Sequence, residues 1–143
     1  MMNTKEGNKM ILVISTQHYE NYGAHDWDGT GECPQYWKAK GGDEIMITDV
    51  DTGLYTADQI VEMVRGDIEM RNEGFECTII GYSFQEDGYM SWFEKSQLDY
   101  EGKITHPEPR ITMGEVVGRW LNLEDPKEYA EASADADAVY YGA

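Results

Sequence analysis

The stretch Phe75-Glu-Cys-Thr-Ile-Ile-Gly-Tyr-Ser-Phe-Gln-Glu-Asp-Gly-Tyr-Met-Ser-Trp-Phe93 carries the strongest signal of fold class in the chain. Phe75 to Phe84 is apolar and β-rich around Cys77, Ile79, Ile80 and Tyr82, which predicts a strand. Glu86-Asp87-Gly88 is a hairpin turn signal. Tyr89 to Phe93 is then expected to return as an adjacent antiparallel strand. Strand-turn-strand, with helices set apart from it, points to α+β rather than a doubly wound parallel sheet.

Working upstream, Thr56-Ala-Asp-Gln59 fits a capping box, with Tyr55 and Ile60 placed as a hydrophobic staple. Ile60, Val61, Val64 and Ile68 repeat at helical spacing. The helix is expected to run to Asn72-Glu-Gly74, with Gly74 as its C′ residue. Asp43 to Val50 alternates as a strand closed by an Asp51-Thr-Gly53 turn, and Met10 to Ile14 reads as a buried strand. Downstream, Leu98 to Ile104 is a candidate fifth strand, and His106-Pro-Glu-Pro109 breaks regular structure. Thr112-Met-Gly-Glu115 repeats the capping pattern, with Val116, Val117, Trp120 and Leu121 as an apolar stripe. Asp125-Pro126 starts a third helix. The expected fold is α+β: a small, mostly antiparallel sheet of about four to five strands with two or three helices on one side.

The 143 residues suit one domain, read here as a single acidic domain over 1–143 with 1–8 frayed and 130–143 a flexible tail. The formal net charge of -17 repels phosphate backbones and anionic bilayers, so direct nucleic-acid or membrane binding is not expected. It favours a partner with a basic surface. Cys33 and Cys77 are far apart in sequence and are read as reduced thiols of a cytoplasmic protein. The apolar run Met10–Ile14 is too short for a signal-peptide core or a membrane span.

The unabsorbed chemistry lies between His18 and Gly42, a long, irregular, glycine-, aromatic- and acid-rich stretch whose length marks it as either a functional loop or one that hides short structure. His18, His25, Asp26, Asp28 and Cys33 are competent metal ligands, but their spacing matches no established site. Asp26-Trp-Asp28-Gly29 begins like a calcium loop and lacks the ligands that would complete one. No nucleophile elbow, zincin helix or phosphate loop is present, so no catalytic residue is assigned and no cofactor is expected. Tyr22, His25, Asp26, Trp27, Asp28, Glu32, Tyr36 and Trp37 combine interface-type aromatics with acids and form the candidate partner-binding group. His106 reads as a solvated turn residue, and Cys77 as core.

Glu20-Asn-Tyr-Gly-Ala-His-Asp-Trp-Asp-Gly29, continuing through Cys33-Pro-Gln-Tyr-Trp-Lys38 and Gly41-Gly42, resembles a segment of small accessory proteins of tailed bacteriophages. The resemblance covers about the first third of the chain and transfers no catalytic residue. It implies expression in the bacterial host cytoplasm and action on host machinery. Joined to the acidity, the leading expectation is an interaction protein that inhibits a host defence factor, of restriction or CRISPR type, partly by nucleic-acid mimicry. The acids offered for this are those of the Asp26–Glu32 loop, Asp49, Asp51, the Asp58–Glu62 edge, Glu86, Asp87 and the Glu124–Asp137 tail. The alternative is a small-molecule or metal-binding module, possibly enzymatic, built on His18–Gly42. A structural virion component is a third class.

Overall fold

A computed structural model describes residues 9–123. The expected frayed terminus, the helix start at Asp125-Pro126 and the acidic tail lie outside the described residues. The fold is α+β, a curled mixed sheet with three helices.

Its spine is β1, Lys9–Asn21. One edge of β1 is taken by β5, Phe75–Gln85, antiparallel along almost its whole length. The other edge is shared by two strands in succession. β3, Glu44–Asp51, pairs with the first half of β1, and β2, Trp37–Gly41, pairs with the second. β4, Met70–Arg71, extends the sheet beyond β5. β6, Arg110–Thr112, lies parallel to β3 at the far edge.

The switch from β2 to β3 occurs at Gly42-Asp43. Asp43 O accepts from Thr16 N at 2.9 Å and from the Thr16 hydroxyl at 3.2 Å. Thr16 is buried. A Cβ at Gly42 would stand 1.8 Å from Thr16 O, so only glycine fits. Further bulges interrupt the β1–β3 and β1–β5 ladders, and bulges bend strands and raise twist. At the β1–β3 bulge, Asp49 takes the left-handed conformation, φ 60°, which Asp tolerates better than most residues.

One face of the sheet carries the main core. Leu12, Ile14, Ile45 and Ile47 meet Ile60, Val61 and Val64 of α1, Ala57–Ile68, and Val116 of α3, Met113–Gly118. The Thr56 capping box forms in full: Thr56 Oγ1 accepts from Gln59 N, and Gln59 Oε1 from Thr56 N. The helix stops at Ile68, six residues short of Gly74. Glu69 turns extended because its carboxylate accepts the Ile79 N–H at 2.9 Å, and Met70-Arg71 then pairs with β5. Gly74 therefore sits in a hairpin turn in which Asn72 Oδ1 accepts from Gly74 N and Phe75 N.

The segment after β5 departs from expectation. Tyr89–Phe93 is not a strand. Ser91-Trp-Phe-Glu94 is itself a capping box and starts α2, Trp92–Ser96. Glu94 is fully buried, and its carboxylate accepts from Ser91 N, Glu108 N and Arg110 Nη2. The Arg110 guanidinium balances its charge at 2.8 Å. Leu98–Ile104 is reduced to one bridge between its end residues. α3 ends before its expected stripe is complete. Arg119 goes left-handed at φ 61° as it reaches Met63 O and Asp67; Val117, within the helix, and Trp120, beyond it, are both exposed.

Tyr89 packs against the smaller core of Ile11, Val13 and Met46 on the opposite face, and its hydroxyl donates to Glu44. No helix among the described residues is long and apolar enough to cross a membrane.

Two outcomes follow from these contacts. Gly42→Ala is expected to cost about 3 kcal/mol or more, since backbone rather than a movable side chain blocks the new methyl. Gly66→Ala, in the exposed interior of α1 with no neighbour to meet, is expected to stabilise by about 0.5–1 kcal/mol. Urea denaturation reads both signs. Burial, then the bond to the Glu44 carboxylate, pushes the Tyr89 phenol up to about 12. The neutral phenol is favoured in the folded state. Its contribution is therefore complete below about pH 10, the unfolded value, and is lost as pH rises through about 12. Tyr89→Phe should flatten the fall in stability across that window.

Candidate functional site

The His18–Gly42 stretch holds short structure at both ends, with an irregular segment between. β1 continues through His18 to Asn21, a single 3₁₀ turn follows at Tyr22–Ala24, and β2 returns the chain to the sheet. The region is a hairpin arm whose tip spans residues 25–36.

Asn21 holds the arm together. It is completely buried and uses all its hydrogen-bonding capacity. Nδ2 donates to Pro34 O at 2.8 Å and Glu73 O at 2.9 Å, while Oδ1 accepts from Gly23 N at 3.0 Å and Tyr36 N at 2.7 Å. One amide thus joins both limbs of the arm to the turn between β4 and β5. Gly23 lies so close to Pro34 that a Cβ would sit 2.7 Å from its carbonyl oxygen.

The tip is fixed by local bonds. Asp28 Oδ1 accepts from Thr30 N at 2.9 Å and from the Thr30 hydroxyl at 2.6 Å, which holds its carboxyl below the usual range. Trp27 Nε1 donates to Thr30 O at 3.0 Å. Asp26, Asp28 and Glu32 are exposed, and among the described residues none has a lysine or arginine at ion-pair distance.

The alternation of the arm separates its two faces. On one, Lys38 stands over the rings of Tyr22 and Tyr36 at 5.7 and 5.4 Å, and Lys40 Nζ donates to Tyr22 OH at 2.8 Å. His25 reaches Glu20 at 2.6 Å on that side, and Lys40 also approaches Glu20. On the other face lies a groove of about 620 Å³. Tyr19, Glu76 and Thr78 floor it, Gln35 and Trp37 form one wall, and Arg71, Asn72 and Glu73 the other. The register explains the grouping: Ala39, Tyr19, Glu76 and Arg71 are successive cross-strand neighbours over β2, β1, β5 and β4. Trp37 Nε1 donates to Gln35 Oε1 at 2.7 Å, which orients the indole.

The candidate partner-binding group is therefore divided. Tyr22, His25 and Tyr36 share the lysine face, Asp26, Trp27, Asp28 and Glu32 occupy the tip, and Trp37 belongs to the groove. The candidate metal ligands are also dispersed. His18 Nε2 pairs with Asp43 at 2.9 Å, His25 with Glu20, Asp28 with Thr30, and Cys33 lies against Asn21 and Pro34. Among the described residues, no three His, Cys, Asp or Glu side chains converge on one point. Desolvation, then Glu73, pushes the Cys33 thiol up, so it is held as a neutral thiol and not as an activated nucleophile. Sequence reading missed the groove, although Tyr19 and Asn21 alternate with His18 and Glu20 as a strand would.

Comparison with protein-family models, curated proteins and solved structures finds no match to this chain.

Asn21→Asp keeps the shape but loses both donors and aims a carboxylate at two carbonyl oxygens. It is expected to cost about 3 kcal/mol or more, because it leaves buried polar groups unpaired. Gly23 N and Tyr36 N keep an acceptor in this variant, so faster amide exchange there reports opening of the arm as a unit, and it should precede exchange in the β1–β5 ladder.

Proposed function

We propose that the protein is a phage-encoded acidic interaction protein that inhibits a host factor with a basic surface. In this reading it is an anti-defence protein that occupies a nucleic-acid-binding groove. The observation that carries the reading is the anionic tip. Asp26, Asp28 and Glu32 project from an arm braced by Asn21, and among the described residues none of them has a lysine or arginine at ion-pair distance. Preorganised charge loses little freedom on docking, and complementary charge speeds encounter. Trp27 supplies interface-type aromatic surface among those acids, and Tyr36 stands exposed on the adjoining lysine face.

Affinity capture from bacterial lysate at about 0.1 M and about 1 M salt tests this, because the screening length shrinks from ~10 Å to ~3 Å between them. The expected result is a nucleic-acid-binding protein retained at low salt, released at high salt and displaced by its own nucleic acid. The combined variant Asp26→Asn, Asp28→Asn, Glu32→Gln should weaken capture about tenfold or more. Capture that survives both high salt and that neutralisation rejects mimicry.

A further inference from the structure

We propose that the groove on the opposite face of the arm receives a cationic side chain, an arginine or lysine, presented by a partner protein. The inference rests on the reading above that the partner is basic, and assigns to it a second point of contact.

The chemistry of the groove is that of a cation site. Tyr19 and Trp37 supply two aromatic rings on one sheet face, and indole is the best ring partner for a cation. Glu73 and Glu76 add two carboxylates, and among the described residues neither has a cation at ion-pair distance. Gln35 Oε1 is committed to the Trp37 indole, so the wall is held in place before any ligand arrives. Ala39, next to Tyr19 in the cross-strand row, adds no bulk that would fill the space.

The lysines of β2 lie on the other side. Strand alternation sends Lys38 and Lys40 to the face of Tyr22, and leaves Trp37 and Ala39 toward the groove. The arm's own cations therefore cannot enter. Arg71, on β4 and not on the arm, does line the groove. It is the cross-strand neighbour of Glu76 and is exposed, with no ion pair at 4 Å or less among the described residues. It stands where it would compete with an incoming cation for Glu76. An anionic ligand would instead need Arg71 as its anchor, against the two carboxylates, and the two cases predict opposite effects of removing it.

The test titrates the full chain with N-acetyl-arginine-N-methylamide and with its uncharged citrulline counterpart, followed by amide and indole N–H chemical shifts. Saturable shifts centred on Trp37 and Tyr19 are expected, with the citrulline compound binding about fivefold or more weakly. Glu76→Gln should weaken the arginine probe about threefold to fivefold, and Arg71→Gln should strengthen it. Trp37→Phe retains a ring and should bind detectably, whereas Trp37→Ala should not. Equal affinity for the two probes, shifts that do not saturate, or weakening by Arg71→Gln overturns the proposal. The tip variant should leave probe binding unchanged. A protein that captures a basic host partner through its tip yet ignores the arginine probe refutes the groove alone. Probe binding without salt-sensitive capture refutes the mimicry reading alone.

Discussion

The backbone oxygen of Thr16 lies against Gly42, and the division of the sheet depends on that contact. A long strand ordinarily takes one partner on each edge. Here β1 takes two in succession on one edge, because the chain between them closes onto Thr16 through Asp43 with no side chain in the way. The same point separates the part of β1 that lies in the cores from the part that enters the hairpin arm. Before Thr16, β1 is apolar on both faces and lies between two cores. Beyond it, the strand carries His18, Tyr19 and Glu20 into the arm, where β2 replaces β3 as its partner.

That arm has almost no hydrophobic interior, so its order has a different origin. Asn21 replaces apolar packing with four hydrogen bonds to backbone groups of both limbs and of the β4–β5 turn. A buried amide network of this kind is stable only when every member is paired, and this one is. It ties both limbs of the arm to the β4–β5 turn, whose Asn72 and Glu73 line the groove. The arm can therefore present one charged end and two chemically distinct faces, which a solvated coil could not do.

Charge separation within the arm is more informative than the net charge of the chain. Lys38, Lys40, Tyr22 and Tyr36 share one face with Glu20; Tyr19, Trp37, Glu73 and Glu76 line the other with Arg71; and the acids at the tip stand apart from both. Strand alternation alone produces this, since residues one apart point to opposite faces. The acidic total of the composition averages over all three and hides them.

The sequence by itself determined what is local. The Thr56 and Thr112 caps, the α1 stripe and the strands at 10–14, 43–50 and 75–84 were legible from capping chemistry and periodicity, because those signals are made by neighbours in the chain. The Ser91–Glu94 cap carried the same pattern and was overshadowed by the turn signal before it. Tertiary structure decided the rest. β1 extends past Ile14 through polar residues because β5 and β2 complete its ladder from distant parts of the chain. α1 stops at Ile68 because Ile79 claims the Glu69 carboxylate. The groove exists only because four strands place Ala39, Tyr19, Glu76 and Arg71 in one row. Those pairings depend on which backbone groups meet across the sheet, a property that no window of neighbouring residues contains.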